Sequence, residues 1–182
     1  MREAVLRATL GELAERGYQG LTVDGVAERS GVHKTTVYRR WTNADGLISD
    51  ALEVSEREPW PLPDTGSLQG DLRAITRLVL TSFTDPESGP VASAFVAAAV
   101  QSGRAAEALH RFFAARHQQA AEVVRRAVER GELPADTDAE EVIRIAVAPV
   151  YYRLFITREP MTERDTARAA DAAALAAREG LL

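Results

Sequence analysis

The chain has 182 residues, 46% of them hydrophobic, with no cysteine and a formal net charge of −5 at pH 7. This length suits one or two compact domains, and the lack of cysteine excludes disulfides, thiolate-bound zinc and cysteine nucleophiles. The negative net charge argues against a protein that coats nucleic acid indiscriminately, so any DNA binding should depend on a local basic surface.

The first predicted helix covers residues 3–16, places leucines on one face and ends at Gly17. Its charges are spread along its whole length, which is not typical of a signal peptide. The longest apolar run, Val91 to Val100, is about half of the roughly 20 residues that a membrane span needs. We therefore expect a soluble, cytoplasmic protein with no membrane partner.

The stretch LTVDGVAERSGVHKTTVYRRW, residues 21–41, predicts two short helices joined by a tight turn. Thr22 is a suitable N-cap for a helix that runs to about Ser30, and Gly31 provides the positive φ that ends it. A second helix follows from Lys34 to Arg40. Apolar residues at helical spacing form a small shared core: Val23, Val26, Ala27, Val32 and Val37. This pattern is typical of a helix-turn-helix.

The outward side of the second helix is polar and basic: His33, Lys34, Thr35, Tyr38, Arg39 and Arg40. The stretch between Arg29 and Trp41 contains no carboxylate, so we expect a basic cluster of Arg29, Lys34, Arg39 and Arg40 with no acid among them. Such a cluster favours binding to DNA. The alternative is that Tyr38 and Trp41 are ordinary core or surface aromatics and that the cluster is a solvated face.

The rest of the chain also predicts helices. Asn43 should cap a fourth helix, and the proline-rich residues 57–66 should separate a DNA-binding head, residues 1–50, from a larger body, residues 51–182. In the body we predict helices that begin at Ser67, near Val91, near Ala105, at a capping box of Thr137 and Glu140, and at Thr162. The prediction is an all-α fold of about nine helices.

Four segments of the head, ERGYQGLTV, VAERSGV, KTTVYRRW and NADGLI, resemble the DNA-binding domain of the TetR family of transcriptional regulators over residues 3–52. In the body, ERGELPADTD and APVYYRLFITREP resemble one ligand-binding branch of that family. The resemblance implies an all-helical homodimer that binds a short palindromic operator and usually represses transcription. It also implies release from DNA when a small molecule enters a pocket in the body.

The resemblance also implies roles for individual residues of the head. Lys34, Thr35 and Arg39 would face base edges in the major groove. Phosphate contacts would come from Thr22, Thr36, Tyr38 and Arg40. His33 stands where the family often has a serine that caps the recognition helix, and Ala44 stands where it usually has a phosphate-binding lysine.

The body offers weaker predictions. A ligand pocket could be lined by Phe83, Phe95, Phe112, Phe113, His117 and Tyr151, although each is individually more typical of plain core. His110 and His117 lie two turns apart, which does not suit a metal site, and we expect neither a metal nor a cofactor. The chain has no phosphate loop, GxSxG or HExxH motif, so we do not expect an enzyme.

Dimerisation is expected through the last two helices, about 138–158 and 163–179, because the last one has an alanine face. Two alternatives remain open. One is an architectural or protein-interaction module without a ligand, and the other is an activator of the same fold.

Overall fold

The computed structural model describes residues 1–57 and 60–182, and the side chains of all of these except Arg57. The described residues form nine α-helices and one π-helical segment and contain no strand, which confirms the all-α prediction. The helices are α1 Arg2–Gly20, α2 Val23–Ser30, α3 Lys34–Arg40, α4 Ala44–Arg57, α5 Leu68–Thr84, α6 Gly89–Gln101, α7 Gly103–Glu129, α8 Ala139–Tyr151 and α9 Glu163–Arg178, with the π-helical segment Tyr152–Thr157 after α8. Pro59, in the predicted junction, lies outside the described residues.

The chain divides into two compact units. The first contains Met1–Glu58 and Ser82–Ala114, and the second contains Pro59–Thr81 and Ala115–Leu182. The predicted domain boundary at residue 50 stays a prediction. None of the helices in the described ranges is long and apolar enough to cross a membrane.

The turns of the predicted helix-turn-helix form as expected. Gly17 has a φ of 64° and interrupts α1, one turn before that helix ends at Gly20. Thr22 caps α2 by accepting a hydrogen bond from the Gly25 amide at 3.0 Å. Gly31 is left-handed, with a φ of 68°, and ends α2. Only glycine adopts such a φ without steric cost, so the sequence places this turn by itself.

Apolar side chains from α2 and α3 are part of the core of the first unit, together with residues of α1 and α4. Val26 and Val37 are fully buried and Trp41 is 2% exposed, so Trp41 is a core residue. Val32 is half-buried against the same cluster. The cluster continues into α6 through Ala94, Phe95 and Ala98, so this nearly all-apolar helix completes the core around the helix-turn-helix.

The predicted capping box at the start of α8 is wrong. Asp138, not Thr137, is the N-cap, and its Oδ1 accepts hydrogen bonds from the Glu140 and Glu141 amides. The Thr137 hydroxyl donates instead to the Pro134 carbonyl at 2.8 Å. Either residue type can cap a helix, and the turn before the helix decided which one is in position.

In the second unit, α9 packs mainly through small residues. Ala170, Ala173 and Ala177 are fully buried and Ala174 nearly so. Thr162 begins this helix as predicted, since its amide and hydroxyl both donate to Asp165 Oδ2, at 2.9 and 2.7 Å. The alanine face is therefore used inside the chain. The dimer through the last two helices stays a prediction, but this face does not supply its contact surface.

Candidate nucleic-acid interface

Helix α3 turns one side into the core and leaves the other in solvent. Its buried side is Val37, and Thr36 is half-buried. The predicted contact residues on the other side are exposed: His33, Lys34, Thr35, Tyr38, Arg39 and Arg40. Tyr38 is 42% exposed, so it is not a core aromatic like Trp41. The face is thus a strip of hydroxyls and cations next to the turn of the motif.

Thr22 lies at the amino end of α2 and is exposed. Its hydroxyl oxygen accepts the capping bond from Gly25, and a hydroxyl that accepts one hydrogen bond can still donate another. It can therefore cap the helix and donate to an anion at the same time.

His33 is the N-cap residue of α3, but its side chain makes no capping bond. Its Nδ1 lies 2.9 Å from Thr35 Oγ1. The helix start is held instead by the His33 carbonyl, which accepts from the amides of Thr36 and Val37 at 2.9 and 3.3 Å. His33 thus orients the Thr35 hydroxyl and does not replace a capping serine.

The prediction that four cations cluster with no acid among them is wrong, because acids from other helices approach them in the folded chain. Arg29 faces α1, where its Nε donates to Glu12 Oε1 at 2.8 Å and its Nη2 contacts Glu15. These hydrogen bonds raise the pKa of Arg29, and the one that it donates to Glu15 contributes most. Arg29 is therefore committed to holding α2 against α1 and does not belong to the α3 face.

Two of the remaining cations also have acidic neighbours. Lys34 Nζ is 3.1 Å from Asp24 Oδ1, and Arg40 Nη2 is 3.6 Å from Asp50 Oδ2. Arg40 also stacks over the Trp41 ring, 5.2 Å from its centroid. Arg39 has no ion-pair partner among the described residues. Sequence reasoning missed both acids because it read charge along one stretch, whereas these acids come from α2 and α4.

The amino end of α4 follows shortly after α3 in the chain. Asn43 Oδ1 accepts from the Gly46 amide at 3.1 Å, which confirms the predicted cap. Ala44 provides no cation. Asp45 faces away from the cap, since its Oδ1 accepts from the Tyr18 hydroxyl at 3.0 Å and its Oδ2 from the Ser102 hydroxyl at 2.8 Å. This carboxylate ties α1 and the start of α7 to α4, and burial followed by the hydrogen bond to Asp45 raises the pKa of Tyr18.

The predicted ligand residues are divided between the two units. Phe83, Phe95, Phe112 and Phe113 belong to the first unit, where Phe95 is core and the rings of Phe112 and Phe113 meet edge to face, with centroids 5.5 Å apart. His117 and Tyr151 belong to the second unit. Burial lowers the pKa of His117, with a further contribution from Arg144, and burial raises that of Tyr151.

Two open depressions on the first unit do not involve these residues. One, of about 300 Å³, is lined by Ala4, Arg7, Ala8, Arg29 and Ser30. The other, of about 360 Å³, lies between α1 and α4. The predicted ligand set stays a prediction. The ranges that the structure describes contain no cluster of three or more histidine or carboxylate side chains able to hold a metal ion.

Comparison with known sequences gives matches over most of the chain. The model of the family described as "Bacterial regulatory proteins, tetR family" matches residues 5–51, and that described as "Tetracyclin repressor-like, C-terminal domain" matches residues 62–173. The HTH-type transcriptional regulator YdeS of Bacillus subtilis, itself uncharacterised, is 32% identical over 88% of this chain and 81% of its own. The DNA-binding transcriptional repressor TetR of Mycobacteroides abscessus is 30% identical over 83% of this chain and 80% of its own.

The fold has solved counterparts. The crystal structure of the TetR family transcription regulator SCO0332 superposes with a TM-score of 0.74 and 29% sequence identity. The superposition covers 95% of this chain and 96% of that one. The similarity therefore includes the body as well as the helix-turn-helix.

Proposed function

This chain belongs to the TetR family of helix-turn-helix transcriptional regulators, and from that premise we propose that it is a homodimeric repressor that a small molecule releases from a palindromic operator. The observation that carries the proposal is the α3 face, where exposed cations and hydroxyls flank a buried Val37. A repressor role is further supported by the Mycobacteroides abscessus relative, which is named a repressor.

For the DNA contacts we propose the division that the resemblance to the family implies. Lys34, Thr35 and Arg39 are the residues we assign to base edges, because a cation can donate to guanine O6 and N7 and a threonine methyl can meet thymine. Four residues would hold phosphates and fix the register: Thr22, Thr36, Tyr38 and Arg40. His33 would act through Thr35, whose hydroxyl it contacts.

We place the dimer interface on an exposed apolar stripe of the second unit. Ile145, Tyr152 and Ile156 are 39%, 57% and 70% exposed at helical spacing along α8 and the π-helical segment, and Leu175 on α9 is 60% exposed. Contiguous large apolar side chains in solvent are typical of an association surface. Two copies paired there would present two recognition helices to the two halves of a palindrome, about one DNA turn apart.

Release by a ligand requires that the ligand bind the DNA-free arrangement more tightly than the DNA-bound one, since equal affinity shifts nothing. The residues predicted for ligand binding remain candidates within each unit: Phe83, Phe95, Phe112 and Phe113 in the first, and His117 and Tyr151 in the second. Neither an enzyme activity nor a cofactor is part of the proposal.

The deciding experiment is a gel shift on the DNA that flanks the gene, repeated at several salt concentrations with random competitor DNA. We expect one sequence to bind at least about a thousandfold more tightly than random DNA. Equal binding to all sequences would favour the architectural alternative. An increase of transcription from that promoter on binding would favour the activator.

Sedimentation tests the dimer. The wild-type chain should sediment as a dimer without DNA, and Ile156→Asp should shift it to monomer at micromolar concentration. Gln118→Asp is the matched control, because Gln118 is an exposed residue of α7 outside the stripe. A monomeric wild-type chain, or an equal effect of both substitutions, would contradict the interface.

A further inference from the structure

Two carboxylates of the first unit lie on cations that face DNA in the proposed function. Asp24, in the first turn of α2, approaches Lys34 to 3.1 Å, and the two side chains are 53% and 61% exposed. Asp50 of α4 approaches Arg40 to 3.6 Å. Both acids come from helices that flank α3, so each cation has an intramolecular partner when no DNA is present.

These pairs are weak enough to open. The Asp24–Lys34 pair is exposed and is worth little because water screens it. In the Asp50–Arg40 pair the carboxylate is 21% exposed, but the atoms are 3.6 Å apart and the arginine is half exposed. DNA phosphates offer both cations a denser negative charge. Each pair still has a cost for DNA binding. When Lys34 turns to DNA, Asp24 is left uncompensated beside a polyanion, and when Arg40 does so, Asp50 keeps only the pair with Arg2. The net gain from each cation is therefore smaller.

The cost should depend on the sequence that is bound. On the operator, base-edge and phosphate contacts form together, and Lys34 and Arg40 each meet a defined acceptor that compensates for the lost carboxylate. On random DNA the two cations meet only phosphates without a defined position. Asp24 and Asp50 then compete effectively with those phosphates for Lys34 and Arg40.

We propose that Asp24 and Asp50 are specificity-determining residues that compete with DNA phosphates for Lys34 and Arg40 and lower the affinity for random DNA more than that for the operator. The inference rests on the proposed function. It assigns to two acids outside the recognition helix a role in discrimination, although neither contacts a base. The negative charge that the sequence places around its basic helix thus serves specificity.

The test uses the full-length dimer and the variants Asp24→Asn and Asp50→Asn. Dissociation constants are measured for the operator duplex and for a random duplex over a range of salt concentrations. Each variant should bind random DNA about two- to fivefold more tightly, and the operator by a smaller factor. The slope of log K against log salt concentration should steepen by up to about 0.9 for each cation released to a phosphate. The effects of the two substitutions should add, because the two acids share no partner.

Glu28→Gln is the matched control. Glu28 is exposed on α2, one turn after Asp24, and no ion pair joins it to another described residue. It removes the same charge without freeing a cation, so the ratio of operator to random affinity should stay at its wild-type value. Thermal unfolding of each variant checks that the fold is kept. If Asp50→Asn does not fold, the operator and random affinities of Asp24→Asn alone test the inference.

Two results would overturn the inference. One is wild-type affinity for random DNA in both aspartate variants, and the other is an equal increase in Glu28→Gln, which would show a general charge effect. A wild-type chain with no preferred sequence would overturn the proposed function itself. A clear preference that both variants leave unchanged would overturn only the role of the two acids.

Discussion

Arg29 and Arg40 both pair with carboxylates in the first unit, but their surroundings differ. Arg29 meets Glu12, whose side chain is 3% exposed, and a Cβ placed on Gly11 would lie 2.6 Å from Arg29 Nη1. Arg40 is half exposed and its partner Asp50 also accepts from Arg2 at 3.4 Å. The first pair has a buried carboxylate that needs its arginine, whereas in the second the arginine is open to a stronger anion.

The difference shows that residue type does not decide the role of a charge in this domain. A buried carboxylate makes its arginine structural, because removing either partner leaves an uncompensated charge. A carboxylate that is only partly buried, as Asp50 is, leaves its cation available for DNA. Four substitutions test whether the two kinds of charge differ in this way.

The largest effect should come from Glu12→Ala. It leaves Arg29 and Arg16 without the buried carboxylate that lies 2.8 and 3.3 Å from them. Because Arg29 is one-third exposed and can find water, we expect a loss of about 2–3 kcal/mol in the free energy of unfolding, below the range for a fully buried pair. Urea unfolding measures it. Glu15→Ala is the control, since Glu15 meets the same arginine from an exposed position. An equal loss in the two variants would remove the distinction.

Arg39→Ala tests the cation that has no ion-pair partner among the described residues. If Arg39 reads a base, its loss should cost about 1–3 kcal/mol at one base pair of each half-site and leave other positions unchanged. Binding to a set of operators with single substitutions measures this. A uniform loss across the whole set would make Arg39 a phosphate contact and contradict our assignment.

Tyr38→Phe should show the opposite pattern with a smaller magnitude. It removes one hydroxyl that we assign to a phosphate, so affinity should fall by about 0.5–1.5 kcal/mol on every sequence alike. The same set of operators serves as the measurement. A loss confined to one base pair would place the Tyr38 hydroxyl in the groove.

The smallest effect is a pH dependence at Glu15. The hydrogen bond from Arg29, followed by its charge, lowers the pKa of Glu15 from its ordinary value of 4.5. Because the folded pKa lies below the unfolded one, the stabilisation is complete above about pH 4.5 and is lost as the pH falls through the folded pKa. The difference in unfolding free energy between wild type and Glu15→Gln should therefore be present at pH 7 and shrink below about pH 4. A difference that persists in acid would exclude this origin.

Local chemistry made much of the fold predictable. Gly17, Thr22, Gly31 and Asn43 each act on backbone groups within a few residues, so their roles in turns and caps could be recognised without a structure. The helix-turn-helix core follows from helical periodicity for the same reason. The predicted capping box at Thr137 was wrong, because two adjacent residues could each cap the helix and only the preceding turn selected Asp138.

The exposed face of α3 could be predicted, but its electrostatics could not. The sequence places six polar or basic residues opposite Val37, and the structure leaves all six exposed. The sequence does not reveal that Glu12, Asp24 and Asp50 approach three of the four cations in the folded chain. Those acids lie at least 10 residues from their partners, and the folded arrangement of helices brings them within 4 Å.

The helices, the turn at Gly31, the buried side of α3 and the family could all be predicted from the sequence, because they depend on periodicity, on backbone conformation and on motifs continuous in the chain. The cations that remain available and the apolar face of the second unit that remains exposed could be identified only in the folded chain. The alanines of α9 pack inside the chain because small side chains allow helices to approach closely, and the larger Ile145, Tyr152, Ile156 and Leu175 are left in solvent. Charge pairing and burial depend on residues that are distant in sequence, so composition and spacing alone could not assign them.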